Sequence, residues 1–535
     1  MRFGRGISLA VLLAVGSLAL WYMTGREVAP SPESSQELRR GNGTEPDSID
    51  PQLARMESAM TILRDCYEGL VSMDRDGGVI AGAAESWSIS EDARIYTFRL
   101  RPQARWSNGD HLVAEDFVFA FRRLVDPGTA SQYALMLEPV TNATDIVAGR
   151  RAPETLGVSA PDQATLVVEL AEPTAYFLAM LSHPSTFPVH RATLAARGQE
   201  FTRPGVAVTN GAFAPTDWQI GSHIVAARNR HYWNDAATRI DAVRYVHVAD
   251  PFTELTRIRA GDLDITYTVP PGEVARLEKE LPGQLRIAPH LGVYYYGFAL
   301  DLPPFRDALN LRRALAMAID REVLATQVLG DGERPAYGWV PPGVAGYVPQ
   351  SFDWAGLGRE ARIAEARRLY AQAGHSRERP LRFELRYSKS PVHDRIALAV
   401  TAMWKEYLGV EASLHADDFR VLKQAIDARE TVLFRGSWIG DYNDAYSFLQ
   451  VLKGGFGINL PRYRNDSYDR SLAAASGASG EERAQLLAAA ERQLLDDVPV
   501  IPLYFYVSKH LVAPRVSGWY SNVMNVTYSK DLSLR

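Results

Sequence analysis

The sequence predicts a mixed α/β fold divided among several lobes, and three observations carry that expectation. Short segments alternate apolar and polar residues with period two, as strands do. Other segments repeat apolar residues at helical spacing. The chain has 535 residues, more than one hydrophobic core usually serves. Composition agrees: 46% hydrophobic and 23% charged residues are the values of a globular protein, not of a disordered chain.

The elements follow in order. The start, MRFGRG, carries two arginines, and ISLAVLLAVGSLALWYM (7–23) then runs without a charge. A basic start before an apolar stretch is the layout of an export signal. As a helix the stretch would reach roughly 25 Å, just short of a bilayer's hydrocarbon core, and Trp21 and Tyr22 suit its far interface. Residues 1–25 are expected to be a signal peptide or an uncleaved N-terminal membrane anchor, with the bulk of the chain exported. Residues 26–40, rich in Pro, Ser and charge, read as a flexible linker, with folded material from about Gly41 onward.

In RIYTFRLR (94–101), Tyr96, Phe98 and Leu100 face one way and Ile95, Thr97 and Arg99 the other. Asn108-Gly109 marks a tight turn. TLVVEL (165–170) is a further strand. The segment 307–330 sets Leu311, Leu315, Ala318, Leu324 and Val328 at helical spacing, with Asp307 as its cap and Gly330 as its stop. Residues 359–374 and 481–497 read as helices, and residues 381–388 and 498–512 as strands.

Several function classes lose support. The formal net charge is −5, and no basic run exceeds a pair such as Arg39-Arg40 or Arg122-Arg123, so nucleic acid is not an expected partner. Cys66 is the only cysteine, which excludes an internal disulfide and a cysteine-based zinc site. It reads as a small buried residue on an apolar helix face. No zincin, nucleophile-elbow, phosphate-loop or dinucleotide-binding motif occurs. His183 and His190 are too far apart to form a one-face helical pair. No cofactor and no catalysis are expected.

One stretch asks for a partner. GSWIGDYNDAYSFL (436–449) sets Asp441 and Asp444 among Trp438, Ile439, Tyr442, Tyr446 and Phe448, with no lysine or arginine inside it. Acids in an apolar setting are costly unless a cation meets them. Either Asp441 is a turn or cap aspartate, or it awaits a ligand ammonium such as the free amino end of a peptide.

GTEPDSIDP (43–51), RDCYEGLVSMDRDG (64–77), AESWSISEDARIYTFRLR (84–101), ARWSNGDHLVAEDFVFAFRRLVDPGTAS (104–131), HPSTFPVH (183–190), VTNGAF (208–213), YYYGF (294–298), PPFRD (303–307), RRALAMAIDRE (312–322) and DYNDAYSFL (441–449) appear in that order. Together they resemble the bacterial periplasmic oligopeptide-binding proteins, extracytoplasmic solute-binding family 5, over nearly all the chain beyond residue 40. The resemblance implies a periplasmic-binding-protein-like type II fold: two lobes about a hinge, with an extra domain inserted in the first. Lobe I would comprise 41–57, 182–290 and 509–535, the inserted domain 58–181, and lobe II 291–508.

It also implies a monomeric carrier of oligopeptides. Such a carrier serves an ABC permease and ATPase complex at the inner membrane, from the periplasm or tethered there by residues 7–23. By the resemblance Asp441 pairs with the peptide's amino terminus. Glu45, Trp438, Arg435, His393, Tyr295 and Tyr506 would line the same cleft. A cysteine pair of the family corresponds here to Gly292 and Ile439, and an acid after the tyrosines to Gly297. Ile426 stands where the family has an arginine for the peptide carboxylate, and Arg429, three residues on, could serve there if the segment is helical. Other readings are an exported peptidase or amidase, a metal- or haem-carrying relative, and a membrane-tethered sensor or assembly factor.

Overall fold

The computed structural model describes residues 36–535. The expected signal or anchor segment lies outside them. No described helix is long and apolar enough to cross a membrane.

Three sheets organise the described chain. The first, of four strands, runs Glu37–Gly41, Ala242–Val246, His223–Arg228, Phe213–Gln219. The second runs Ala84–Ile89, Ile95–Leu100, Thr165–Glu169, Val158–Ser159, with helix Ala114–Val125 beside it. The third has six strands: Arg334–Pro335, Val500–Leu511, Leu285–Phe298, Leu433–Ile439, Arg382–Ser388, Glu411–Asp417.

Local patterning sets most elements. In Ile95–Leu100 the buried residues are Tyr96, Phe98 and Leu100, as period two requires. Gly109 takes a left-handed φ of +93° in the turn between the bridged residues Arg105 and His111, a conformation glycine adopts without a Cβ clash. Cys66 ends helix Glu57–Cys66 and is buried. Tyr294, Tyr295 and Tyr296 alternate between two cores, the outer two facing Trp404 and Leu315, the middle one facing Trp339.

Two expectations are corrected. The flexible linker does not extend to residue 40. Glu37–Gly41 is a strand paired in parallel with Ala242–Val246. Its charges are structural: Arg39 meets Asp264 at 3.1 Å, and Glu37 accepts from Arg244 at 2.8 Å.

Nor is 307–330 one helix capped by Asp307. It divides into Leu309–Met317, Arg321–Val323 and a wider turn Leu324–Leu329. Asp307 sits in a left-handed conformation, outside the helix. The working cap is Asp320, whose carboxylate accepts from the Val323 N–H at 3.1 Å. Gly330 does end the segment, with φ of +73°.

The break strands helix-end carbonyls, which must find donors. Arg321 donates to the Ala316 carbonyl (3.0 Å) and also ties the segment to its neighbours through the carbonyls of Ala336 (2.8 Å) and Pro502 (2.9 Å). Arg362 donates to the carbonyls of Met317 and Ile319. Arg321 is fully buried, and its guanidinium lies over the rings of Tyr337 and Trp354. Burial pushes its pKa down to about 10, so it stays charged at neutral pH.

Leu285–Phe298 and Val500–Leu511 are the longest strands in the molecule's described part, 14 and 12 residues. Leu285–Pro289 pairs with Leu511–Val507, the register slips, and pairing resumes at Val293 with Phe505. Before the slip the pair is tied to the first-sheet region, where the Thr266 N–H donates to the Leu511 carbonyl at 3.0 Å. After it, both strands lie in the middle of the six-stranded sheet. The molecule is therefore two lobes joined by a two-strand hinge, with the second sheet's domain inserted in the first lobe.

Replacing Arg321 with Met keeps apolar bulk but leaves buried carbonyls without donors. Chemical denaturation should show a loss of roughly 3 kcal/mol. A loss below about 1 kcal/mol would contradict this role for the guanidinium.

Candidate functional site

A cavity of about 510 Å³ lies beside the hinge. Trp438, Ile439, Gly440 and Asp441 wall one side, and His290, Val507, Ser508 and Lys509 come from the crossing strands. Met60, Arg64, Tyr133, His183 and Tyr267 wall the other side.

The exit from strand Leu433–Ile439 sets up the first wall. Gly440 donates to the Leu291 carbonyl at 2.8 Å. A Cβ on Gly440 would come within 2.9 Å of the Phe448 ring, so the close turn requires glycine. Ser447 then anchors the loop twice: its hydroxyl accepts from the Asp441 N–H at 3.1 Å, and its carbonyl accepts from the Trp438 indole at 2.8 Å.

The two acids of this stretch have different fates. Asp444 caps Tyr446 (2.8 Å) and takes both arms of Arg483 (2.8 and 2.9 Å). It is the internal turn aspartate. Among the described residues, no side chain donates to the Asp441 carboxylate and no cation pairs with it. Burial alone pushes its pKa up to about 7.

The cations around the cavity, by contrast, have acids of their own. Arg55 meets Asp47 at 3.0 Å, Arg64 meets Glu57 at 3.4 Å, and Lys509 meets Glu333 at 2.6 Å. The wall histidines are neutral. Burial, then Arg64, pushes His183 down to about 3; burial, then His510, pushes His290 down to about 4. Asp441 is thus a carboxylate facing a cavity whose own cations are spent.

A second unmet need lies next to it. Strand Leu433–Ile439 pairs with Leu285–Phe298 along its whole length, Gly292 opposite Ile439 through Phe298 opposite Leu433. On its other edge it pairs with Arg382–Ser388 only at Leu433 and Phe434. From Arg435 to Ile439 that edge meets no strand among the described residues. Unpaired main-chain groups beside a cavity are a template for an added strand.

Arg435 lies on this open stretch. Its guanidinium is over the Tyr294 ring at 4.8 Å and donates to the Tyr506 hydroxyl at 3.3 Å. Its Nε is buried without a partner, and it forms no ion pair among the described residues. His393 packs against the same Tyr294 ring and donates from Nδ1 to the Ser388 carbonyl at 2.8 Å. Burial, then the Arg435 charge, lowers its pKa.

The structure therefore brings Asp441 and Trp438 together in the cavity wall, with Arg435, His393 and Tyr506 clustered farther along the sheet. It does not bring in three of the expected residues. Glu45 is turned into its own lobe, where it accepts from the Trp218 indole at 2.6 Å and the Gly221 N–H and lies 3.3 Å from His247. Tyr295 is core: it is 3% exposed, and its ring lies where a Cβ on Gly436 would be. Arg429 forms an ion pair with Asp301 at 2.9 Å and lines a different cavity.

Ile426 is packed with Leu422 and Phe434, so nothing at that position faces a ligand. Gly292 and Ile439 are cross-strand partners. Gly297 is small because the Phe434 ring covers it. Sequence reasoning missed the opposite wall, Tyr133, Tyr267 and His290 above all. The Tyr133 ring packs at a tilt against His183, with centroids 4.3 Å apart, a contact between residues fifty apart that no local pattern announces.

Two lobes, a two-strand hinge and a cavity beside it define an extracytoplasmic type of solute-binding fold. The chain belongs to the bacterial extracellular solute-binding proteins, family 5, whose model matches residues 78–459. It is 37% identical over 505 residues to the periplasmic oligopeptide-binding protein OppA of Escherichia coli, covering 93% of this chain and 92% of that one. Among solved structures it is similar to the Escherichia coli murein tripeptide binding protein MppA, with TM-score 0.82 and 35% identity over 94% of this chain and 99% of that one. It is also similar to Haemophilus influenzae OppA in complex with RPPGFSPFR, with TM-score 0.80 and 34% identity over 94% and 99% of the two chains.

Burial of Asp441 sets a measurable titration in the ligand-free protein. A carboxyl resonance present in the wild type and absent in Asp441→Asn should titrate near pH 7 by carbon-detected NMR. A midpoint at pH 4 would mean that the side chain is solvated.

Proposed function

We propose that this protein is the substrate-binding component of a peptide ABC transporter. It captures extended oligopeptides between its lobes through their main chain and N-terminal ammonium, and delivers them to a membrane permease driven by an ATPase. The carrying observation is the unpartnered Asp441 carboxylate beside an unpaired strand edge. An ammonium at Asp441 supplies the missing cation. An extended backbone along Arg435–Ile439 supplies the missing ladder, and gives affinity whatever the side chains. Arg435, four residues and so roughly 13 Å back from the Ile439 end of the strand, offers a second unneutralised charge of opposite sign. A ligand with an amino end, a peptide backbone and a distal anion fits all three.

The process is reversible binding without chemistry. A ligand touching both walls stabilises the closed arrangement of the lobes over the open one. The lobes divide at 290/291 and 508/509; the register slip between Pro289 and Val293 supports the first boundary, and on the partner strand it falls between Phe505 and Val507, close before the second. The protein acts as a monomer in the periplasm, the compartment named for its relatives OppA and MppA of Escherichia coli. The rival reading, hydrolysis, is separated by mass spectrometry after incubation with a peptide mixture: carriage returns intact bound peptides, hydrolysis returns shortened ones.

Asp441→Asn should weaken a free-amine peptide about 100-fold by titration calorimetry, the order expected when a buried charge loses its partner. The same peptide acetylated at its amino end should change little. Equal losses for both would remove Asp441 from the ammonium site.

The pH dependence has a definite sign. Asp441 must be ionised to pair, and its pKa in the empty site is about 7. Affinity should therefore fall as pH drops below 7, by up to about tenfold per unit. It should fall again above about pH 8 as the ligand amine loses its proton. Affinity that is flat from pH 5 to 7 would contradict the pairing.

A further inference from the structure

The pole of the six-stranded sheet away from the hinge carries another cavity, of about 760 Å³. Gly292 and Phe298 bracket the hinge-to-pole stretch of one crossing strand, roughly 20 Å of extended chain. The cavity is built where connecting segments converge: residues 300–307 after the crossing strand, Arg429 after helix Phe419–Asp427, and residues 462–464 before helix Asp466–Gly477. Arg312 on helix Leu309–Met317 and Asp497 at the end of helix Gly480–Asp497 complete it.

Its chemistry is that of guanidinium groups. Arg306, Arg312, Arg429, Arg462 and Arg464 line it, against the acids Asp301, Asp307 and Asp497. Two of the acids are engaged. Asp301 holds Arg429. Asp497 accepts from the Tyr463 hydroxyl at 2.6 Å and the Asn465 amide at 2.7 Å. The Asp497 donors are neutral, so Asp497 and Asp307 both remain negative, against the four arginines that form no ion pair among the described residues.

Arg312 forms part of the lining and is 8% exposed. Its guanidinium donates to the backbone carbonyls of Val498 (3.0 Å), Phe305 (2.8 Å) and Asp497 (2.8 Å). Among the described residues it forms no close ion pair: Asp497 and Asp307 attract it only from beyond pairing distance, so its buried charge is incompletely matched. Among the described residues Arg306, Arg462 and Arg464 also form no ion pair. The backbone is strained at the same place. Asp307 (φ +55°), Arg429 (φ +65°) and Arg462 (φ +58°) all take left-handed conformations without being glycine, and such outliers gather at ligand sites.

We infer that this cavity is an anion site for a phosphate group, carried either by a soluble phosphate ester or by the headgroup of an anionic phospholipid. Guanidinium forks match the several acceptor oxygens of a tetrahedral dianion. One fork would already satisfy a lone carboxylate, whereas four guanidiniums here lack an acid. The cavity exceeds a phosphate in size and leaves room for the group esterified to it. The apolar lining comes from Leu300, the Tyr463 ring and the stems of the arginines, which can pack against the group esterified to the phosphate.

The test uses the full chain with inorganic pyrophosphate as the soluble probe, followed by titration calorimetry. Vesicles of phosphatidylglycerol, against phosphatidylcholine vesicles, serve as the lipid probe, followed by flotation. The double variant Arg462→Ala/Arg464→Ala removes two exposed guanidiniums and leaves Arg312 in place. Its thermal unfolding midpoint should match the wild type, which shows that it folds. Saturable pyrophosphate binding by the wild type, at least tenfold weaker in the variant, supports a soluble phosphate. Flotation with phosphatidylglycerol vesicles alone, lost in the variant, supports a lipid headgroup. If the wild type binds neither probe, or the variant binds as the wild type does, the assignment is overturned.

Discussion

A carboxylate taken from water without a cation costs several kcal/mol, and Asp441 is held in that position by its surroundings. Ser447 fixes the loop from both its hydroxyl and its carbonyl. Gly440 lets the chain turn against Phe448. Arg483, the nearest means of neutralising this stretch, is committed to Asp444. The cations around the cavity are tied to Asp47, Glu57 and Glu333. The fold thus satisfies its charges elsewhere and leaves one negative group facing the gap between the lobes. Selectivity follows from that arrangement, because a ligand without a cation leaves the cost standing.

Much of the fold was legible because burial imposes a period. The alternation in Ile95–Leu100 and the tyrosine run 294–296 map directly onto faces of sheets. The helix over 307–330 was misread for the same reason. Both of its pieces bury residues in one core, so the apolar spacing continues across the break at Ala318–Asp320. The sign of the break was local: an aspartate before Arg321 that serves as a cap. Glu37–Gly41 was hidden by its charges, which look like a spacer until their partners, Asp264 and Arg244, arrive from more than two hundred residues away.

The site was legible in part, through family resemblance more than through pattern. Asp441 and Trp438 lie in a cavity wall, and positions 292 and 439 face each other across the strands. Glu45, Tyr295 and Arg429 were not placed correctly, because sequence position does not tell which way a side chain turns. Tyr295 shows the difficulty best. Its neighbours Tyr294 and Tyr296 share its composition and context, yet strand pleating sends it to the opposite core, where Gly436 yields space to its ring.

The slipped register between Pro289 and Val293 has a mechanical meaning. Two strands paired without interruption would form a stiff ribbon, and bending it would shear its ladder. Here the ladder is already interrupted between Pro289 and Val293, and its register shifts once more between Tyr294 and Tyr295, with the pairing before the gap fastened to the first lobe and the pairing after it to the second. A change of angle can be taken up by the few unladdered residues between them, so little of the energy of ligand contact is diverted into deforming the connection.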